Sequence, residues 1–456
     1  MKISIFLLFI FFPFSLLLAN EESLLPSRKQ NKETVAEFHQ HNVQQFANNT
    51  NILLLPGLVA DRKNKTVSFY AESTGIETNS PIEFFLIGEQ SGHDYESIAV
   101  ALVKPEDIRK GLLFIGMPLG TGTDPRLLRF WPKGERVKVN MDGIRIESFI
   151  LDSDTGESLP ANGLVFTGSM MVPSMDDNKE KILAVSHFEP FSIAANYNEA
   201  ASILDVPWQA LQASVYNRQT LHPDYLLSKG KLLKVTIEPE YKGTKQRVRE
   251  YDLYLSTPLN TSTQKLNNIQ CRLASASNRE PPIKYTLDNL LGEFSELNDN
   301  GHDPFVTVHF ENEMPISLVK QICIILKTID TTTGIRIEPA PQNHLYYKAF
   351  VPSEAHRFRK DRLSQPLELH LTIEDEQTNV ILTEIEEIWK DGQIDPELEI
   401  TNYDISSPEA LATALKNVKT SIPAVIVYAD SRMTYSEIMQ YILKMMPTHP
   451  MVHVFQ

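Results

Sequence analysis

His93, Asp94, Tyr95, Glu96 and Ser97 stand side by side in the stretch "GHDYESIAVALVKPEDIRKGLLFIGMPLG", residues 92 to 120. An imidazole, two carboxylates, a phenol and a hydroxyl are the parts from which nucleophilic and acid–base sites are made. The spacing argues against a local site. "YESIAVALV" alternates like a strand, which puts His93, Tyr95 and Ser97 on one face and Asp94 and Glu96 on the other. His93 and Ser97 would then stand about 13 Å apart, far outside the ~3 Å reach that a nucleophile requires of its base. The stretch therefore reads as the polar start of a structural strand, with Glu96 a buried carboxylate that needs a partner. His93, Glu96 and Ser97 remain the binding candidates of this region. The enzymatic alternative is a hydrolase or metal-dependent site assembled through the fold around His93, Glu96 and His187.

Other constellations are weaker. His39 and His41 lie two residues apart in "FHQH" with no further ligand nearby, so no metal is implied. "GMPLGTGTDPR" is Gly-rich but lacks the Lys and Ser/Thr of a phosphate loop and reads as a turn. "IEDE" and "TEIEEI" are acidic strand faces, and "SHFEP" places Ser186, His187 and Glu189 on alternating sides. No cofactor is implied by any of them.

The elements that must position these groups begin after "MKISIFLLFIFFPFSLLLANEES", a lone Lys followed by an apolar run, then Ala19 and an acidic stretch. This is the layout of a secretory signal peptide over residues 1–19. An uncleaved anchor is the other reading, because the run is only slightly shorter than the ~20 residues of a span. The expected location is periplasmic or secreted, with no membrane span once the signal is removed. A formal charge of -15 disfavours nucleic acid and anionic membrane surfaces as main partners. At 456 residues, 42% apolar and 22% charged, the chain is a globular protein of about three domains. Cys271 and Cys323 are its two cysteines. They are too few for a disulfide framework, and Cys323 between Ile322 and Ile324 reads as a small buried hydrophobe. Whether the two pair is left open.

Residues 20–50, rich in Gln and Asn, read as a flexible polar lead with at most one marginal helix. Strands are expected in "NILLLPGLVADRKNKTVSFYAES", around a turn at Asp61 to Asn64, and in "PIEFFLIG". This region, residues 51–225, resembles the YdjY-type domain of bacterial envelopes. The resemblance rests on "HDYES" leading into "KPEDIRKGLLFIGMPLG", on "GLVFTGSMMV", and on "SHFEPFSIAANYNEAASILDVPWQALQASVYN". It implies a strand-rich domain and a location, without an activity.

The C-terminal half contains a repeat. "FVTVHFENEMPISLVKQICIILK", residues 305 to 327, aligns without a gap to "AVIVYADSRMTYSEIMQYILKMM", residues 424 to 446. Val306 matches Val425, Met314 matches Met433, Ser317 matches Ser436 and Gln321 matches Gln440. In the second copy Tyr435, Ile438, Met439, Ile442 and Met445 make one apolar helical stripe, which reads as core. Helices are expected in "LDNLLGEFSEL" and "PEALATALKNV". Hairpins are expected before them, in "KLLKVTIEPEYKGTKQRVREYDLYLST" and "LELHLTIEDEQTNVILTEIEEI". Strand, strand, helix, strand, helix, strand is written twice, in residues 226–340 and 341–456.

That order, with Ala429-Asp430 ending a strand and Tyr435 on the next helix, resembles the periplasmic domain of the ExbD/TolR biopolymer-transport family. The resemblance implies two small two-layer α/β sandwich domains. It also implies dimerisation and contact with envelope proteins or peptidoglycan, without the proton-driven transport that needs a preceding membrane helix. The fold class is thus α+β and multi-domain. Across "APQNHLYYKAFVPSEAHRFRKDRLSQP" tethering brings the copies to about millimolar effective concentration, so an intramolecular pseudo-dimer is expected. Its acidic loops at Glu311 and Asp430 would stay free for a partner, and Tyr435, at the position of the family's helix tyrosine, is the further binding candidate here. The function expected from these readings is a non-enzymatic extracytoplasmic binding or scaffold protein.

Overall fold

The computed structural model describes residues 26–456 apart from 124–131, 175–179, 209, 211, 217, 242–246, 258–265, 276–282, 300–301, 334, 340–361, 365–366, 389–396, 421–423, 446–447, 450 and 456. The proposed signal segment and most of the tether lie outside the described residues. The chain is mixed helix and strand, arranged in several sheets. None of the described helices is long and apolar enough to cross a membrane.

The N-terminal sheet closes on itself. Around the ring run Thr66–Ser73, Leu232–Pro239, Arg136–Met141, Leu164–Phe166, Leu204–Asp205, Ser192–Ala195, Phe84–Ile87 and Ser97–Ala101. Closure comes from Thr66–Ser73, whose one edge pairs first with Leu58–Asp61 and then, at Ala71 to Ser73, with Ser97–Ala101. Period-two alternation drives it: Val67, Phe69 and Ala71 enter the core with Phe85, Phe166 and Val235, while Ser68, Tyr70 and Glu72 take the other face. Each large apolar side chain fully buried in this core contributes about 1.5–3 kcal/mol. Sequence patterning missed a strand, Ile52–Leu55, which folds back on Leu58–Asp61 over the turn at Gly57.

Two expectations fail here. The lead is an ordered helix, α1 (Pro26–Gln45), which buries Arg28 and Val35 against the ring. It has no apolar stripe, so periodicity could not reveal it; polar contacts hold it. Also, Leu232–Pro239 was expected as half of a hairpin in the first C-terminal copy. It pairs instead with Thr66–Ser73 and Arg136–Met141. The boundary expected at residue 226 therefore cuts through the ring, because a strand's pattern specifies its faces and not its neighbours.

The two C-terminal sheets have the same topology. The first runs Ile283–Thr286, Gln270–Ser275, Val248–Ser256, Asp303–Phe310, Arg336–Pro339. The second runs Glu397–Asp404, Gln377–Ile388, Leu367–Glu374, Ala424–Ala429, Met451–Phe455. A short strand, Arg362–Ser364, adds beside the second. Between the expected hairpin and the first helix the first copy contains two strands that were not expected, Gln270–Ser275 and Ile283–Thr286, and the second copy one, Glu397–Asp404. Helices α2 (Pro105–Phe114) and α3 (Gln212–Val215) belong to the ring, and α4 (Leu290–Asp299), α5 (Ile316–Thr333), α6 (Pro408–Ala414) and α7 (Tyr435–Met445) to the copies. The expected stripe of Tyr435, Ile438, Met439, Ile442 and Met445 is buried. Thr434 starts α7 with a capping box: its amide donates to Glu437 Oε2 at 2.7 Å, and its Oγ1 accepts from the Glu437 amide. Apolar residues of both copies form one continuous core cluster.

The ring and the first copy meet at Asp303. Arg136 Nη2 donates to its Oδ1 at 2.6 Å, Arg247 Nε to its Oδ2 at 3.1 Å, and Arg336 Nη1 lies 3.5 Å away. Arg336 Nη2 also donates to the Pro207 carbonyl at 2.7 Å, and the Val248 amide to Glu135 Oε1 at 3.1 Å.

Candidate functional site

The opening pentad sits at one end of the ring. Gly92, at φ +68°, turns the chain where an L side chain would be strained, and Asp94–Glu96 follow as one turn of 3-10 helix. Only Ser97 onward is strand. The turn rotates successive side chains by about a third of a circle, so positions three apart meet. His93 Nδ1 and Glu96 Oε1 are 2.5 Å apart, which corrects the expectation that they face opposite ways. The expected separation of His93 from Ser97 has a different outcome: Ser97 Oγ donates to the His93 carbonyl at 2.7 Å. The serine braces the turn and does not address the imidazole. Glu96 is buried and paired, as a carboxylate beside Ile98 requires.

Adjacent strands bring a second carboxyl. Glu83, at the head of Phe84–Ile87, donates its amide to the Glu96 carbonyl at 3.0 Å and accepts the Asn196 amide on its own carbonyl at 3.1 Å. Burial pushes its carboxyl above the usual range, and nearby Glu96 adds to this. Gln212 Nε2, donating at 2.8 Å, and His93 oppose it. Tyr197 packs edge-on to Phe84, which does the same to His93. Burial raises the Tyr197 phenol and likewise the Glu199 carboxyl. Deeper in the ring Asp205 is fully buried. Asn198 Nδ2 donates to its Oδ1 at 3.1 Å, Oδ2 has no hydrogen-bond partner among the described residues, and burial pushes its carboxyl well up. Sequence reasoning did not pick out Glu83, Tyr197, Glu199 or Asp205. The one available clue was an acid inside the apolar run "PIEFFLIG".

Chemically, this is an imidazole oriented by a carboxylate through Nδ1, with no described residue bonded to Nε2, beside a second carboxyl that favours its neutral form. Such a pair can accept or donate a proton or a hydrogen bond. The groups named for an enzyme do not all converge: His187 forms no hydrogen bond or ion pair with His93 or Glu96 among the described residues. Its neighbour Ser186 donates to Glu106 Oε2 at 2.7 Å, and both lie at a 3-10 turn, not on the strand expected for "SHFEP". His39 and His41 are on α1.

The C-terminal candidates are engaged within the chain, contrary to the expectation of open loops. Glu311 Oε2 accepts from the amide and the Oγ1 of Thr257, at 2.7 and 2.9 Å. Asp430 accepts from Arg432 Nε at 2.9 Å and Nη2 at 2.6 Å, and this pairing holds its carboxyl well below the usual range. Tyr435 is 2% exposed, with its ring 5.3 Å from that of Phe310. Its position is an interface between the copies. The Tyr435 amide donates to the Met314 carbonyl at 2.7 Å, and the Ile316 amide donates to the Met433 carbonyl at 2.8 Å.

No protein-family model and no curated protein matches the chain. Among solved structures, the protease–reverse transcriptase of prototype foamy virus is returned, in native form and as its CSH mutant. Each is 10% identical with a TM-score of 0.13, over 45% of this chain and 35% of that one. A TM-score this low carries no argument about fold or activity.

Proposed function

We propose that the protein is a non-enzymatic binding or scaffold protein of the bacterial envelope, acting outside the cytoplasm. In this reading a YdjY-like domain carries two ExbD/TolR-like domains, and the partners are envelope proteins or peptidoglycan. The observation that carries it is the pair of reciprocal amide bonds, Tyr435 to Met314 and Ile316 to Met433. In the gapless repeat Met314 corresponds to Met433 and Ile316 to Tyr435, so each copy gives the other the same bond. This is the signature of an isologous, two-fold contact. It supports an intramolecular pseudo-dimer, the arrangement of an assembly module and not of a catalytic cleft. Because Glu311, Asp430 and Tyr435 are engaged within the chain, partner contact falls to other surfaces.

The test is capture of partners by the full chain from envelope extract, with peptidoglycan sedimentation in parallel. Specific retention that survives His93→Ala supports the reading. A second reading rests on the His93–Glu96 contact, which could serve as a general acid–base pair acting on water or on a substrate hydroxyl. Hydrolysis of any ester, amide or glycoside that disappears in His93→Ala, with the fold unchanged, would establish it instead.

A further inference from the structure

Helix α1 covers the ring with little apolar surface. Val35 is buried and Phe38 stacks on Tyr70 with ring centres 5.1 Å apart; the rest of the attachment is polar. Arg28 Nε donates to Glu72 Oε1 at 3.1 Å and its Nη2 to Asp94 Oδ2 at 3.0 Å. Asn31 Nδ2 donates to Glu72 Oε2 at 2.7 Å and to the Gly230 carbonyl at 3.0 Å, and Lys32 Nζ lies 2.8 Å from Glu89 Oε1. Glu72 lies on the face of Thr66–Ser73 that turns away from the core, and α1 covers it. Undocking α1 would return Glu72 to water rather than strand it in the core. The buried Arg28–Glu72 pair is screened little by salt, but with so little apolar surface beneath it the helix gives up mainly charge pairs that water can solvate again when it undocks.

Beside Arg28 the structure contains a cleft of about 320 Å³, lined by Glu72, Thr74, Glu77, Asp94, Tyr95 and Arg28 itself. Without Arg28, its lining charges are three carboxylates against Lys229. Two carboxylates arranged around one guanidinium form a fork-shaped receptor that a lysine ammonium fills poorly.

We propose that this cleft is a binding site for an arginine-bearing peptide segment of a partner protein, that Arg28 is its internal placeholder, and that α1 is the latch. Asp94 opens the 3-10 turn that His93 caps and Glu96 ends, so release of Arg28 also removes one of the contacts on the turn that holds that pair. The binding-protein reading is needed only for the partner to exist; the preference for a guanidinium stands without it.

The test uses the full chain and Arg28→Ala, with N-acetyl-arginine amide as probe and N-acetyl-lysine amide as control. Losing the guanidinium lowers the melting temperature of Arg28→Ala by about 2–4 °C per kcal/mol lost. The arginine probe at about 10 mM restores at least half of that loss through mass action. The lysine probe restores less, and adding Glu72→Gln abolishes the restoration. Equal shifts in wild type and Arg28→Ala, or none in either, overturn the proposal. If Arg28→Ala does not fold, hydrogen exchange on the unmodified chain decides. Exchange of α1 amides well ahead of those of the ring strands supports the latch; α1 exchanging in step with the ring refutes it.

Discussion

The amide of Ile316 donates to the carbonyl of Met433, and the same bond is made in reverse by Tyr435 and Met314. Pro315 and Thr434 form an antiparallel bridge between them, so the copies are joined through one equivalent loop from each. Among the described residues Tyr435 is the largest fully buried side chain at the joint, and its hydroxyl is buried without a hydrogen-bond partner among them. Tyr435→Ala is expected to cost about 3–5 kcal/mol. Tyr435→Phe removes an unsatisfied polar group and should gain up to about 1 kcal/mol. Urea unfolding of both variants checks the contrast, and a loss in Tyr435→Phe would mean that the hydroxyl is satisfied.

Asp303 collects Arg136, Arg247 and Arg336 where the ring meets the first copy, and its side chain is 6% exposed. Asp303→Ala leaves buried guanidinium charge uncompensated and should cost about 3–5 kcal/mol. Limited proteolysis between residues 239 and 248 should accelerate at the same time; an unchanged cleavage rate would show that the two bodies do not depend on this contact.

Stability should depend on pH through the ring's buried acids. Asp205, Glu83 and Glu199 are all raised by burial. A carboxyl with a raised folded value stabilises fully below its unfolded value, and that contribution is lost as pH rises through the folded value. As pH rises above the ordinary carboxylate range of about 4, these groups therefore favour the acid side. Asp205→Asn, which cannot ionise, should flatten the dependence. Melting curves from about pH 4 upward test it, and an unaltered slope would remove Asp205 from the account.

Cys271 and Cys323 are not joined in a disulfide and are both buried, and burial pushes both thiols up to about 12. This settles the question of pairing that their spacing left open. Neither thiol should react with an aromatic disulfide reagent in the native chain, because the thiolate is the nucleophile. Both should titrate after unfolding.

By itself the sequence determined what depends on period and local chemistry. It placed α5 and α7, the strands that flank them, the buried stripe of Tyr435 to Met445, and the duplication, because facing preferences and repeats are carried by side chains in order. The hairpin at Asp375 and Glu376, both at positive φ, was legible because its flanking strands alternate. The tertiary structure alone decided the assignments that depend on neighbours. Leu232–Pro239 alternates equally well for either sheet, and ring closure gave it to the first. Helix α1 has no stripe, and its docking rests on partners distant in sequence, among them Glu72, Asp94, Glu89 and Tyr70. His93 and Glu96 meet because three residues chose a 3-10 turn over the strand that their alternation suggested. Glu83 reaches them across a strand pairing that no local pattern encodes. Periodicity records which way a side chain must face; what it meets there is decided when distant segments compete for the same place.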